Sequence, residues 1–180
     1  RLRAVGIVDY AGVARAKLPV LQALFEHFCR TQLERDTDRA RAFRAFQRER
    51  GEPLRRHALY EAIDAHLRPQ DPGRYWGWPA WPPALRDPAG LGVREFAESN
   101  RGSVEFHAWL QWIADEQLAA AQRLARELGM PIGLYGDYAV GVNPAGSETW
   151  SDQQVYRMGA GVGAPPDPLG ERRARRLLVL

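Results

Sequence analysis

Residues 133–170 read GLYGDYAVGVNPAGSETWSDQQVYRMGAGVGAPPDPLG. With Met130, Pro131 and Ile132 before it, the start of this stretch mixes apolar residues with glycines, and residues 130–142 read as a buried strand. Asp137 sits inside that apolar run, and a turn-rich loop follows with Glu148, Trp150 and Asp167. A buried strand that carries an acid to its end is a common way for an α/β scaffold to build a site. The expected fold class is therefore α/β, with residues 130–142 as the strand that decides it.

Most of the chain upstream reads as helix. Asp9 is a candidate N-cap for a helix to Arg30, with Leu18, Leu21, Leu24, Phe25 and Phe28 at helical spacing and Pro19 marking a kink or restart. Asp36 or Thr37 can cap a second helix that buries Ala42, Phe43 and Phe46 and stops at Gly51. Pro53 suits the start of a third, with Leu54, Leu59, Ile63 and Leu67 on one face. Proline and glycine interrupt residues 68–92, which reads as loop. Ser103 then caps the longest helix, running to about Leu128 with Gly129 as its stop; its apolar line is Phe106, Trp109, Ile113, Leu118, Ala121, Leu124 and Leu128. Asp152 is a candidate cap for one further short turn. Several helices before one strand do not make a complete βα repeat, so they read as a helical insertion that returns to a sheet or barrel near Ile132.

Composition narrows the function class. The 180 residues are 45% hydrophobic and 26% charged, which suits a globular chain with a sizeable core. No apolar run approaches the roughly 20 residues of a membrane span, and residues 1–9 lack the apolar centre of a signal peptide. Cys29 is the single cysteine, so no intrachain disulfide can form and a cytoplasmic location is expected. The formal charge of +3 comes from the end of the chain: residues 171–180, ERRARRLLVL, hold four Arg and one Glu. Removing them from the 25 basic and 22 acidic residues leaves 21 of each. A neutral body gives no basis for a nucleic-acid partner, and none is expected. The opening on Arg1 and the abrupt ERRARRLLVL end read as those of a fragment.

Four segments in order carry a family resemblance. IVDYAGVARAKLPVLQALFEHF (residues 7–28), WGWPAWPPALRDP (76–88), FHAWLQWIADEQL (106–118) and GLYGDYAVGVNPAGSETW with VGAPPDPLG (133–150 and 162–170) resemble the amylomaltases, the 4-α-glucanotransferases or disproportionating enzymes. The resemblance covers about residues 5–170; the tail after Gly170 departs from it. It implies a (β/α)₈ TIM barrel, of which this chain would be a fragment: residues 1–130 a helical insertion subdomain, 131–170 a barrel strand and active-site lid loop, and 171–180 a divergent tail. The implied reaction moves a segment of a 1,4-α-D-glucan to the 4-hydroxyl of an acceptor by retaining double displacement. A maltooligosaccharide or starch-type glucan is the implied partner, with no metal or organic cofactor and no membrane.

The resemblance places the nucleophile and acid/base in an Arg-x-Asp-His and a Glu-Asp-Leu-Gly segment. Neither occurs in these residues, so no catalytic residue is assigned to this chain. The implied substrate-binding or site-supporting residues are Asp137 at a strand end, Trp150 beneath the loop in the family's Glu-x-Trp, and Pro165, Pro166 and Asp167 in a loop over the glucan cleft. Without the resemblance, Asp137 reads equally as a turn residue and the Pro-Pro-Asp loop as an ordinary surface turn. Trp76, Trp78 and Trp81 fit either sugar stacking or scaffold packing, with packing the commoner fate of tryptophan. His27, His57, His66 and His107 show no metal-ligand spacing. The competing reading is a non-catalytic helical module that binds a glucan or a protein.

Overall fold

The computed structural model describes residues 6–137, 141–159, 162–163 and 177–178. Its elements are α1 (Tyr10–Phe28) running into a π-helical turn (Cys29–Leu33), α2 (Asp38–Leu67), two 3₁₀ turns (Trp78–Ala80 and Pro83–Leu85), α3 (Leu91–Ser99), α4 (Arg101–Glu127) and α5 (Ser147–Ser151). The only strands among the described residues, β1 (Val162–Gly163) and β2 (Leu177–Leu178), pair antiparallel over two residues each. The chain divides into two compact units, Arg1–Arg50 and Gly51–Leu180.

In the first unit the local chemistry follows the sequence closely. Asp9 Oδ1 accepts the Gly12 amide at 2.7 Å and caps α1. Pro19 lies within α1, which continues through it to Phe28. Thr37 Oγ1 accepts the Ala40 amide at 3.3 Å, capping the start of α2. Phe43 and Phe46 are buried, and Phe43 meets Phe28 edge-on with ring centroids 5.8 Å apart. Ala42, expected on the same face, is exposed. Gly51, expected to stop this helix, adopts φ +54°, a conformation that favours glycine. The helix resumes at once, with Pro53 in the turn where its missing N–H costs nothing.

The second unit is built on the half of α2 that follows Gly51. Leu54, Leu59, Ile63 and Leu67 are all buried, as their spacing predicts. Leu59, Tyr60, Ile63 and Leu67 join Trp81, Val93 and Trp150 in one core, flanked by Tyr75, Trp78, Leu85, Phe96 and Val104. Residues read as uniform loop thus contain two 3₁₀ turns, and the helix α3 precedes the long one. Gly92 lets α3 approach the Pro83–Leu85 turn: a Cβ there would stand 2.5 Å from the Ala84 carbonyl oxygen. The long helix starts at Arg101 rather than Ser103, and Gly129 stops it with φ +80°. Phe106, Trp109 and Trp112 are buried, whereas Leu118, Leu124 and Leu128 on the same line are exposed.

The structure corrects the α/β assignment. Residues 130–137 and 141–142 form no strand, and residues 138–140 lie outside the described residues. No barrel strand is present among the described residues, and the two-residue β1–β2 ladder is too short to be one. The cause is visible in where the backbone hydrogen bonds go. Gln122 on α4 takes the Leu134 amide on Oε1 at 2.6 Å and donates from Nε2 to the Ile132 carbonyl at 3.4 Å. Gly133 between them turns with φ +75°. The polar backbone groups of this run are therefore held by one side chain instead of a neighbouring strand. Ile132, Leu134 and Tyr135 are left exposed, so the apolar run is not a buried one.

Candidate functional site

Residues 143–153, NPAGSETWSDQ, are the part of the opening stretch that the fold holds most firmly. Gly146 enters α5 from extended backbone, and the helical turn precedes Asp152 rather than starting at it. Trp150 is 0% exposed, with its indole N–H donating to the Leu85 carbonyl at 3.1 Å. Its ring lies 6.0 Å from both Tyr60 and Trp81, and Tyr60 and Trp81 are themselves 5.0 Å apart. These three aromatics form the centre of the core, and each pair is placed for a favourable ring contact.

Polar bonds fix the same segment on every side. Thr149 is fully buried; its hydroxyl accepts the Trp78 indole N–H at 3.0 Å and faces the carbonyls of Pro144 (3.0 Å), Gly146 (3.1 Å) and Asn143 (3.3 Å). A hydroxyl has one proton to give, so it donates to one of the three and satisfies itself completely. Tyr60 donates its phenolic proton to the Ala145 carbonyl. Burial pushes that phenol well above its ordinary pKa, so it remains a neutral donor. Arg56 donates to the Ser151 carbonyl at 2.6 Å, and Gln153 donates to the Arg86 carbonyl at 2.6 Å. Gly77 allows the closest approach: a Cβ there would lie 2.5 Å from Ala145 Cβ. The segment is pinned to α2 and to the tryptophan-rich connection at once.

A group of titratable side chains lies beside this anchor. His57 Nδ1 is 3.1 Å from Ser147 Oγ. Burial pushes the Glu61 carboxyl up, His57 opposes that, and Asp64 and Glu148 reinforce it. His107 on α4 is half-buried, and its imidazole is pushed down to about 4, first by burial and then by His57, with Asp64 acting against both. Glu52 is held down at about 2, chiefly by its hydrogen bond from Arg55 and also by Arg56. Among the described residues no group of three or more His, Cys, Asp or Glu side chains is arranged to hold a metal ion.

The His107 shift makes stability depend on pH. Its folded pKa lies below the ordinary value of 6.5, so the unfolded chain takes up this proton first as pH falls. Stability from this group is intact above pH 6.5 and is lost as pH falls towards 4. Allowing for the ring's partial exposure, the expected loss is about 1–2 kcal/mol. Glu61 works in the opposite direction, because a carboxyl raised by burial gains its proton more readily in the fold. Urea midpoints of wild type and His107→Gln at pH 7 and pH 4.5 separate the two. The wild type is expected to lose more stability than the variant, and equal losses would remove His107 as the cause.

A sequence profile of the family described as 4-alpha-glucanotransferase matches residues 2–172. The chain belongs to the 4-alpha-glucanotransferase family. It is similar to a 4-alpha-glucanotransferase of Haemophilus influenzae, 34% identical over 171 residues, which are 94% of this chain and 24% of that protein. A Mycobacterium tuberculosis protein of the same name is 39% identical over 140 residues, covering 78% of this chain and 18% of its own length. A Thermus thermophilus 4-alpha-glucanotransferase is 28% identical over 178 residues, 94% of this chain and 33% of that protein. The chain thus spans a third or less of the length of these curated relatives.

Within this member of the family the sequence-predicted site residues separate. Asp137 is exposed in irregular backbone, with no strand to carry it. Trp150 is fully buried, so in this conformation its ring packs under residues 143–153 and has no face open to a sugar. Glu148 is exposed on α5. Pro165, Pro166 and Asp167 lie outside the described residues. Thr149, Tyr60 and Ser147 were missed by sequence reasoning. Tyr60 carried a faint signal, as a polar-tipped ring between the core residues Leu59 and Ile63. Thr149 carried none, because its indole partner is 71 residues away.

Proposed function

We propose that the protein containing these residues is a 4-α-glucanotransferase that moves a segment of a 1,4-α-glucan onto the 4-hydroxyl of another glucan or glucose. The observation that carries the reading is the alignment of 94% of this chain, at 34% identity, with a relative of that name. The chemistry is a retaining double displacement, in which one carboxylate takes the glycosyl group and a second carboxyl group acts as acid and then base. Neither the Arg-x-Asp-His nor the Glu-Asp-Leu-Gly segment that the resemblance assigns to these roles occurs in residues 1–180. The part played by this chain is therefore support. Residues 143–153 are fixed on the aromatic core, and Asp137 with Pro165, Pro166 and Asp167 border the glucan. Fixed surroundings lower the ordering cost when sugar binds. No helix of the described residues is long and apolar enough to cross a membrane; a cytoplasmic protein acting on maltodextrins is the proposed setting.

This division of labour has a direct test. The 180-residue chain, incubated with maltotriose, is expected to leave it unchanged, with neither glucose nor longer dextrins formed. Disproportionation by the chain alone would show that a nucleophile and acid/base lie within it.

A further inference from the structure

The long helix α4 has two apolar sides that do not coincide. In its first half Phe106, Ala108, Trp109 and Trp112 are buried. In its second half the large apolar residues are Leu118, Leu124 and Leu128, and they are 61%, 54% and 72% exposed. At about 100° per residue, the two sets point about 140° apart. Arg123 and Arg126 fall on the side of the helix away from these leucines, so the second half is amphipathic in its own right. Yet Ala125 is its only buried residue.

The chain after α4 widens the same surface. The Met130 amide donates to the Ala125 carbonyl at 3.0 Å, and Gln122 holds the backbone of Ile132 and Leu134. A Cβ at Gly133 would stand 2.5 Å from Gln122 Oε1, so glycine is what lets this segment lie back along the helix. Its large side chains still face water: Met130 is 56% exposed, Ile132 71% and Leu134 47%. Single exposed apolar residues are ordinary on a protein surface, but a contiguous group displayed from fixed backbone marks an interface.

The relatives indicate what covers it. The matched residues are 24% of the Haemophilus influenzae protein and 33% of the Thermus thermophilus one, so about two thirds or more of each lies outside the match. A larger fold buries a larger share of its surface, and an unpartnered apolar helix side is where further chain closes on it. We propose that the apolar side of the second half of α4, with Met130, Ile132 and Leu134, is the face on which the remainder of a longer glucanotransferase docks. The inference rests on the reading of these residues as part of such a protein, and it names the surface that joins them to the rest.

The test compares the 180-residue chain with a chimera in which it replaces the matched 171 residues of the Haemophilus influenzae relative. The double variant Leu124→Gln with Leu128→Gln retains good helix formers and removes only apolar surface. In the isolated chain, where both side chains are exposed, it is expected to melt within about 2 °C of the wild type. In the chimera it is expected to lower the melting temperature by about 5 °C or more. Arg123→Gln, on the other side of α4, should shift neither protein. Small and equal shifts in both proteins overturn the docking face, and so does a chimera that fails to fold although the isolated chain folds. A dimer of the isolated chain that the double variant converts to monomer overturns the choice of occupant in favour of a second copy. Melting reads the docking and maltotriose conversion by the same chimera reads the glucanotransferase assignment, so each can fail without the other.

Discussion

Trp150→Ala is expected to lower the unfolding free energy by about 3–5 kcal/mol, the cost of emptying a fully buried indole site. The removed ring touches Tyr60 and Trp81, so the void opens at the centre of the core and cannot be filled by a surface side chain. The Leu85 carbonyl also loses the indole proton it accepts. Trp150→Phe retains most of the bulk and should cost distinctly less. Urea unfolding of the whole chain, followed by circular dichroism, measures both. A loss below about 1 kcal/mol for the alanine variant would be the value of a surface position, and would contradict the burial.

Thr149→Val should cost about 1–3 kcal/mol, although it hardly changes the shape of the side chain. The hydroxyl accepts the Trp78 indole N–H and gives its one proton to the Pro144, Gly146 or Asn143 carbonyl. Valine fills the same space but leaves the Trp78 indole N–H without its acceptor and removes the one proton the hydroxyl gives, while the Asn143 and Gly146 carbonyls keep the Gly146 and Trp150 amides. The penalty is therefore one of unsatisfied polar atoms rather than of a cavity. Thr149→Ser reverses the trade, because it preserves the hydroxyl and removes a methyl group. Serine should be tolerated better than valine if hydrogen bonding dominates, and worse if the site is only a packing position. Near-equal melting of wild type and Thr149→Val would refute the proposed anchoring of residues 143–153.

Much of the helical framework could be read directly from residue pattern. Asp9 announces a helix start, and it caps α1 as expected. Leu59, Ile63 and Leu67 recur at helical spacing, and all three are buried. Gly51 was legible as the break between two helices and Pro53 as the start of the second, and α2 is kinked at that glycine. The strand assignment failed for a physical reason. Apolar residues mixed with glycine in 130–142 imitate a buried strand, yet the decisive backbone bonds come from Gln122, ten or more residues earlier. Local pattern carries no record of such a partner. The helix α3 was hidden by the turn-forming residues before it, since it is short and Val93 is its only buried residue.

The candidate site divides in the same way. Glu148, Thr149 and Trp150 sit in a segment that the sequence marked as informative, and the family resemblance explains why. What the segment does in the fold depends on Tyr60, His57, Trp78 and Leu85, all far away in sequence. Contacts across such distances are products of packing and leave no local signature. Trp150 illustrates the difference: an exposed indole there could have stacked on sugar, but the folded chain uses it as the centre of its core.

The central claim is that these residues are the supporting part of a glucanotransferase whose reacting groups lie on other segments. An exchange into the Haemophilus influenzae relative tests it most directly, with the matched 171 residues of that protein replaced by those of this chain. A chimera that folds with a melting transition like its parent's should convert maltotriose to glucose and longer dextrins. A chimera that folds equally well and leaves maltotriose unchanged would contradict the account.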